Sequence, residues 1–364
     1  MRVICTQENL KKGLGIVSNI AGKNVSLPIL NNILIRAKEG RLVLISTNLD
    51  TGIKAVVRGK IEADGEITVA AKLFNEYVSL LDNKKLELET KENDLIIKDD
   101  KQETVIRGQA AEEYPIVPDV EGGEGVIIGS AELKAALSSV VFSASYDDTR
   151  PELSGVLFVF GDKNVRFVAT DSYRLAEKGI SVKSSQFKDG GTKIIPLRAL
   201  QEVVRILEES GDVKLFFSDN QVVFKMDSVT IISRLIEGNY PDYKQIIPES
   251  YKTKAEIERN EFIKVVKAAS LFSKAGINDI LININKKIEV SSANVNLGES
   301  RSSMEAQVSG DKNSIVFNYK YLLDGLQNIT TRKINLEVTS SDTPAVMRPV
   351  GDDDYLYLIM PIRQ

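Results

Sequence analysis

The sequence predicts an α+β protein written three times along one chain. A one-face helix recurs in NLKKGLGIV (9–17), ELKAALSSV (132–140) and EFIKVVKAA (261–269), with apolar side chains at i, i+4 and i+7. These are Leu10, Leu14 and Val17, then Leu133, Leu137 and Val140, then Phe262, Val266 and Ala269. Leu10 to Leu133 is 123 residues, and Leu133 to Phe262 is 129. A second helix recurs in VAAKLFNEYV (69–78), IPLRALQEVV (195–204) and VFNYKYLLDG (316–325). Superposing its copies puts Lys72, Arg198 and Lys320 at one position, and Phe74, Leu200 and Leu322 two residues further on. The few helices sit among many alternating strands, such as Val165, Phe167, Ala169 and Leu215, Phe217, the pattern of antiparallel sheets with one buried face. Repetition at this period reads as an array or a ring rather than an enzyme with one pocket.

Each third runs strand, helix, several strands, second helix, more strands. The first has strand 1–5, helix 7–20, then ILNNILIRAKE, RLVLISTN and TGIKAVVRGKIEA, with turns at Glu39-Gly40 and Ala63-Asp64-Gly65-Glu66. Helix 72–81 leads to LELETKEN, DLIIKDD and ETVIRGQ. The second third repeats this with GVIIG, helix 130–143, GVLFVFGD, VRFVATD, helix 197–209, DVKLFFSD, QVVFKMD and TIISRLI. The last has KAEIER, helix 260–273, DILININ, KIEVSSA, helix 319–328, KINLEVTS and YLYLIMPIR. Tyr114-Pro115 and Tyr240-Pro241 stand 126 residues apart at the two composition shifts, the first followed by Glu121-Gly122-Gly123-Glu124-Gly125. The expected domains are 1–120, 126–246 and 247–364, near the common domain size.

The chain has no histidine, which removes the usual general base near neutral pH and any Cys/His zinc site; carboxylate-bound magnesium stays open. No cofactor is expected. The lone Cys5 cannot form an intrachain disulfide, MRVICTQENL has no signal-peptide pattern, and no run approaches ~20 apolar residues. A cytoplasmic protein is expected. Net charge is −4, with 47 Lys+Arg against 51 Asp+Glu, but a sum says nothing about distribution. One cation repeated on three equivalent helices points to several helices presenting one surface to one extended anion.

SLPILNNILI (26–35), VATDSYRLA (168–176), GNYPDYKQIIP (238–248) and the terminal LIMPIR (358–363) together resemble the bacterial DNA polymerase III beta sliding clamp family over the whole chain. The resemblance implies a head-to-tail homodimeric ring of six domains around duplex DNA, helices lining the hole and sheets outside. It implies a processivity factor for the replicative polymerase, opened by a clamp loader, shared with other polymerases and repair proteins, and without catalysis. The chain has no G-x-x-x-x-G-K-[ST] loop with which to load itself.

With that reading, Lys11, Lys12, Lys23, Asn24, Lys72, Lys134, Arg150, Arg198, Arg205, Lys264, Lys267 and Lys320 are the expected DNA contacts, with Lys274 near them. Such contacts touch phosphates without reading sequence. A groove for short partner peptides is implied at Leu153, Thr170, Ser172, Tyr173, Arg174, Leu175, Pro241, Ile246, Pro344, Val346, Leu358, Met360, Pro361, Ile362 and Arg363. For Leu358 and Met360 the alternative is a last strand completing a core, or an edge strand with one face inward. Ile106, Leu271 and Phe272 are the implied dimer contacts. Asn24 stands where an arginine is frequent, Ser172-Tyr173 replaces a frequent Gly-His, and Gln245 a frequent basic residue.

Two rival readings remain at this point. One is a magnesium nuclease or hydrolase using Asp50 and Asp171. The other is a repeat scaffold that gathers proteins without DNA. Thr170-Asp171 follows a strand as Thr47-Asn48-Leu49-Asp50 does 123 residues earlier, which favours a turn role in which Asp171 holds backbone donors.

Overall fold

The computed structural model describes residues 1–22, 26–82, 84–118, 124–147 and 149–363. Internal contacts divide the chain into two compact units, Met1–Ser130 with Arg205–Leu235, and Ala131–Val204 with Ile236–Gln364. The described helices are α1 (Gln7–Val17), α2 (Ala71–Leu80), α3 (Ser130–Ser138), α4 (Leu197–Ile206), α5 (Arg259–Ser270) and α6 (Tyr319–Asn328). The residues predicted to face inward do so: Leu10, Leu14, Val17, Leu133, Leu137, Val140, Phe262, Val266 and Ala269 are buried, as are Phe74, Leu200 and Leu322.

In the first unit one antiparallel sheet runs from Glu124–Gly129 through Asp212–Phe217, Gln221–Lys225 and Val229–Arg234 to Thr51–Val57. It continues through Arg41–Thr47, Asn32–Lys38, Gly65–Ala70 and Glu103–Gln109 to Asp94–Lys98, Lys85–Lys91, Arg2–Thr6 and Gly59–Ala63. The second unit has a corresponding sheet, in which Arg174–Ser181 pairs with Tyr355–Ile359. It also has a four-stranded sheet whose two edge strands are Gly298–Met304 and Asn313–Asn318.

Strand register fixes the equivalence of the three repeats residue by residue. Asn32, Gly155 and Asp279 lie opposite Ala70, Pro196 and Asn318, the residues just before α2, α4 and α6. The next pairs, Leu34 with Ile45, Leu157 with Val168 and Leu281 with Ser291, keep step. So do Thr47 with Gly52, Thr170 with Leu175 and Ala293 with Glu299. Lys72, Arg198 and Lys320 therefore do share one position, the second residue of α2, α4 and α6.

The turn after Thr47 and Thr170 is built twice from the same bonds. Each threonine hydroxyl donates to a carbonyl four residues on, Thr51 at 2.9 Å and Arg174 at 2.6 Å. Asn48 Oδ1 accepts from Thr51 N at 2.7 Å, and Asp171 Oδ1 from Arg174 N at 3.0 Å. Leu49 and Ser172 both take a positive φ, 78° and 77°. Asp171 is thus a turn residue whose counterpart is Asn48, not Asp50. The linker tyrosines lie against the same place: Tyr114 Oη accepts from Thr47 N at 3.2 Å and donates to the Asn32 carbonyl at 3.2 Å, while Tyr240 Oη donates to the Val168 carbonyl at 3.4 Å. Burial pushes the Tyr114 hydroxyl up to about 12.

Several expected boundaries move. α1, α3 and α5 end earlier than periodicity predicts, because Ser18, Ser139 and Ser270 donate back to the carbonyls of Leu14, Ala136 and Lys267. α4 stops at Ile206 rather than 209, ahead of Gly211, whose φ is 91°. TGIKAVVRGKIEA breaks at Arg58 into Thr51–Val57 and Gly59–Ala63. The final strand, Tyr355–Ile359, is neither an edge nor half-exposed: all five residues are buried, between Arg174–Ser181 and Ala345–Pro349. Its apparent alternation reflects tyrosines buried along with the leucines. The glycine-rich 121–123 segment lies outside the described residues.

Tyr114→Phe removes a hydroxyl that serves Thr47 and Asn32 together. It is expected to destabilise the first unit by about 1–2 kcal/mol, read as a lowered urea midpoint; an unchanged midpoint contradicts the role given to the hydroxyl.

Candidate functional site

Arg174 organises the best-defined polar site. Its Nε meets Asp171 Oδ2 at 2.9 Å and a terminal nitrogen meets Asp324 Oδ2 on α6 at 2.5 Å. Its guanidinium carbon lies 4.7 Å from the Tyr321 ring centroid and 5.7 Å from that of Phe142. Burial alone would lower its pKa, but Tyr357, Asp171 and Asp324 outweigh that and raise it. Tyr173 stacks on Tyr321 at 6.1 Å between centroids and remains exposed. Arg150, which the sequence reading set among the cations facing DNA, instead donates to Ser172 Oγ at 2.9 Å, at the same turn.

Beside it, Leu157, Val168, Leu175, Ile194, Tyr243, Val346, Leu356 and Leu358 form one apolar cluster, with Met360, Tyr240, Ile236 and Ile247 packed against it. Of the expected groove residues, Leu175, Val346 and Leu358 are its buried floor, Thr170 is buried in the turn, and Met360 is half-buried. Pro241 and Ile246 are exposed, Pro344, Pro361 and Ile362 half-buried, and Arg363 exposed. Leu153 is buried in its own 3-10 turn, Pro151–Leu153. The tail is held by its backbone: Met360 N donates to the Tyr173 carbonyl at 2.9 Å and Ile362 N to that of Val316 at 2.8 Å. The sequence reading missed Phe142, Tyr321 and Asp324: the last two meet Arg174 across more than a hundred residues, and Phe142 meets it from a short 3-10 turn, Val141–Ser143, that periodicity does not mark. Tyr240 was readable, since Tyr114 repeats it.

The cations divide by environment. Lys11, Lys72, Arg198, Lys264, Lys267, Lys274 and Lys320 are exposed, all but Lys274 on a helix, and Lys134 is half-buried. Lys72 has Glu76 one turn away at 3.8 Å. Lys12 pairs with Glu208 at 2.6 Å. Arg205 donates to the Gly15 and Ile16 carbonyls at 2.9 and 2.7 Å, capping the end of α1. Lys23 and Asn24 lie outside the described residues. At the other candidate contacts, Leu271 is exposed and Phe272 half-buried, but Ile106 points into the core and the large apolar residue its strand exposes is Val105.

One domain repeated three times, with a cation at the same helical position in each and one apolar site where the second and third repeats join, defines the DNA-clamp class of protein. The DNA polymerase III beta subunit family matches the chain domain by domain, N-terminal over residues 1–118, central over 127–242 and C-terminal over 244–363. The beta sliding clamp of Staphylococcus epidermidis is 30 % identical over 93 % of this chain and 93 % of its own. That of Synechocystis is 29 % identical over 100 % and 99 %. The solved sliding clamp of Bacillus subtilis superposes with a TM-score of 0.95 at 28 % identity, covering 100 % of this chain and 99 % of that one. The DNA polymerase III beta subunit of Thermotoga maritima gives 0.94 at 26 %, with coverage of 100 % and 99 %. The chain belongs to the DNA polymerase III beta subunit family, the bacterial beta sliding clamps. It is a DNA sliding clamp that tethers the polymerase, and not an enzyme. No described helix is long and apolar enough to cross a membrane.

Arg174→Ala leaves Asp171 and the half-exposed Asp324 without their cation. The expected loss is on the order of 2–3 kcal/mol, discounted from a fully buried pair for the exposure of Asp324. Thermal unfolding of the second unit checks this, and a shift no larger than that of a surface Lys→Ala control contradicts it.

Proposed function

We propose that two copies of this chain close head to tail into a ring around duplex DNA in the cytoplasm. The domains would be 1–120, 126–246 and 247–364. The ring would hold the replicative polymerase, the clamp loader, other polymerases and repair proteins in turn through the apolar site at Leu175 and Met360. The supporting observation is a strand junction that the chain makes twice. Thr51–Val57 pairs with Val229–Arg234, and Arg174–Ser181 with Tyr355–Ile359, Gly52 opposite Ile232 and Leu175 opposite Leu358. The equivalent strand of the third repeat, Gly298–Met304, is a sheet edge, which natural proteins cover or pair.

Carrying the register over sets Glu299 opposite the partner's Val105 and Arg301 opposite the partner's Glu103. The Lys12–Glu208 pair recurs as Lys264 with the partner's Asp82. Large apolar side chains are exposed at both ends of this junction: Leu271, Ile277 and Leu297 on one, Leu73, Leu80 and Val105 on the other, Leu271 at 72 % and Leu80 at 85 %.

Val105→Cys with Glu299→Cys is expected to give a disulfide-linked dimer under mild oxidation. Cys5 stays out of this reaction, because burial pushes its thiol up to about 12. A dimer by size that does not cross-link contradicts the register, and a monomer at micromolar concentration contradicts the ring.

The same ring would touch DNA through phosphates alone, a loose and salt-sensitive hold. Changing Lys72, Arg198 and Lys320 together to Glu is expected to reduce loading on circular duplex and to hasten loss, as raised salt does. The parent should be retained on a closed circle and released when the circle is cut. Identical behaviour of triple variant and parent across salt removes these helices from the DNA face.

A partner peptide that buries two apolar side chains at Leu175, Val346 and Met360 gains roughly 3–6 kcal/mol before ordering, which fits micromolar, exchangeable binding. Removing residues 360–364 is expected to abolish peptide binding while leaving the dimer. Unchanged affinity in a folded, truncated dimer places docking elsewhere.

A further inference from the structure

The first domain carries an apolar site that matches the docking site of the second, and the chain's own linker lies in it. Leu34, Ile45, Ala111 and Tyr114 form one buried cluster with Ile29, Val43 and Val117 packed on it. Leu34 and Ile45 are the register equivalents of Leu157 and Val168, which belong to the cluster beneath Met360. The third equivalent pair differs. Where the second domain has Leu175, the first has Gly52, and a Cβ there would lie 2.6 Å from Val117 Cγ1. The linker's valine thus fills the space of the missing side chain.

The segment is seated as a bound peptide would be. Tyr114 points in with its hydroxyl satisfied by Thr47 N and the Asn32 carbonyl, Ile116 points out at 92 % exposure, and Val117 points in over Gly52. Lys54 Nζ holds the Pro118 carbonyl at 3.3 Å. After the matching Tyr240-Pro241 the chain instead coils into a 3-10 turn, Tyr243–Ile246, so it does not run on in this extended form. We propose that residues 114–117 are an internal ligand that closes a second peptide-accepting site on the first domain, leaving each chain one open docking groove. The ligand chemistry is an extended peptide with tyrosine, then proline, then a β-branched apolar residue three positions after the tyrosine. A tethered segment acts at millimolar effective concentration, so it excludes a free peptide of its own sequence. The proposal rests on the Leu175–Met360 site being the docking groove.

The test uses the full chain and a labelled peptide of residues 111–118, AEEYPIVP. With Tyr114→Ser and Val117→Ser loosening the linker, the peptide is expected to bind once per chain, roughly tenfold or more tighter than to the parent. Adding Gly52→Leu should remove that binding. Equal binding to parent and loosened variant, no binding by a folded variant, or binding that survives Gly52→Leu overturns the proposal. Gly52→Leu alone gives a second measure by forcing Val117 off the strand. Hydrogen exchange at the Thr47 amide should then rise at least severalfold, and an unchanged rate also overturns it. A peptide with a glutamine and an apolar pair is measured in parallel. If it fails to bind the parent while the linker peptide behaves as expected, the docking reading of the second domain fails and the internal ligand stands.

Discussion

The structure depends on one antiparallel ladder used between repeats as well as within them. Strand 51–57 of the first repeat has no free edge because strand 229–234 of the second lies along it, and strand 174–181 is completed in the same way by 355–359. Each such junction joins backbone groups that would otherwise be unpaired, and it does so without regard to side chains. Once register is set at one residue, a shift by one would turn every inward side chain outward, so the repeats are locked in step. Arg174 adds the specific component at the second of these junctions. It ties the turn carrying Asp171 to Asp324 on α6 through a single, permanently charged group.

Charge follows the same economy. A chain with net charge −4 can hold DNA if its cations are few, weakly engaged and placed alike on equivalent helices. Lys72, Arg198 and Lys320 meet that description, each exposed on the first turn of the second helix of its repeat. A cation in the first turn is disfavoured by the helix dipole, an effect offset at Lys72 by Glu76 one turn on, so the dipole does not account for its recurrence there. Lys12 and Arg205 are different. One is paired and the other caps α1, and both contribute to the joining of repeats.

Much of this was legible in the sequence, and the limits have physical causes. The i, i+4, i+7 faces identified every buried residue named on the first helices, because burial of a helix face leaves a period in the chain. The turn role of Asp171 was legible from its repeat, since the offset of 123 residues that matches Thr170 to Thr47 also matches Asp171 to Asn48. Helix ends were read too far because back-bonding serines leave no mark on apolar periodicity. Tyr321 and Asp324 escaped because a residue that acts on Arg174 across a repeat junction has no sequence neighbour that announces it, and Phe142 because it lies in a short 3-10 turn outside any periodic helix. Ile106 came from the resemblance alone, and the burial of its side chain could be read only once the strand Glu103–Gln109 had been placed against its core.

The three repeats also show how one backbone position acquires three roles. Register equates Gly52, Leu175 and Glu299. At Gly52 the absent side chain lets the linker cross the strand, with Val117 in its place. Leu175 is retained, fully buried, as the floor of an apolar cluster whose rim includes Met360. Glu299 lies on a strand that ends its sheet, where a carboxylate is one of the devices that keep an edge from pairing at random. An apolar residue there would favour indiscriminate strand addition, which the carboxylate opposes. Divergence at this position, on an otherwise common frame, leaves one repeat crossed by the linker at a glycine, one with a leucine buried in an apolar cluster and one with an exposed carboxylate on a sheet edge.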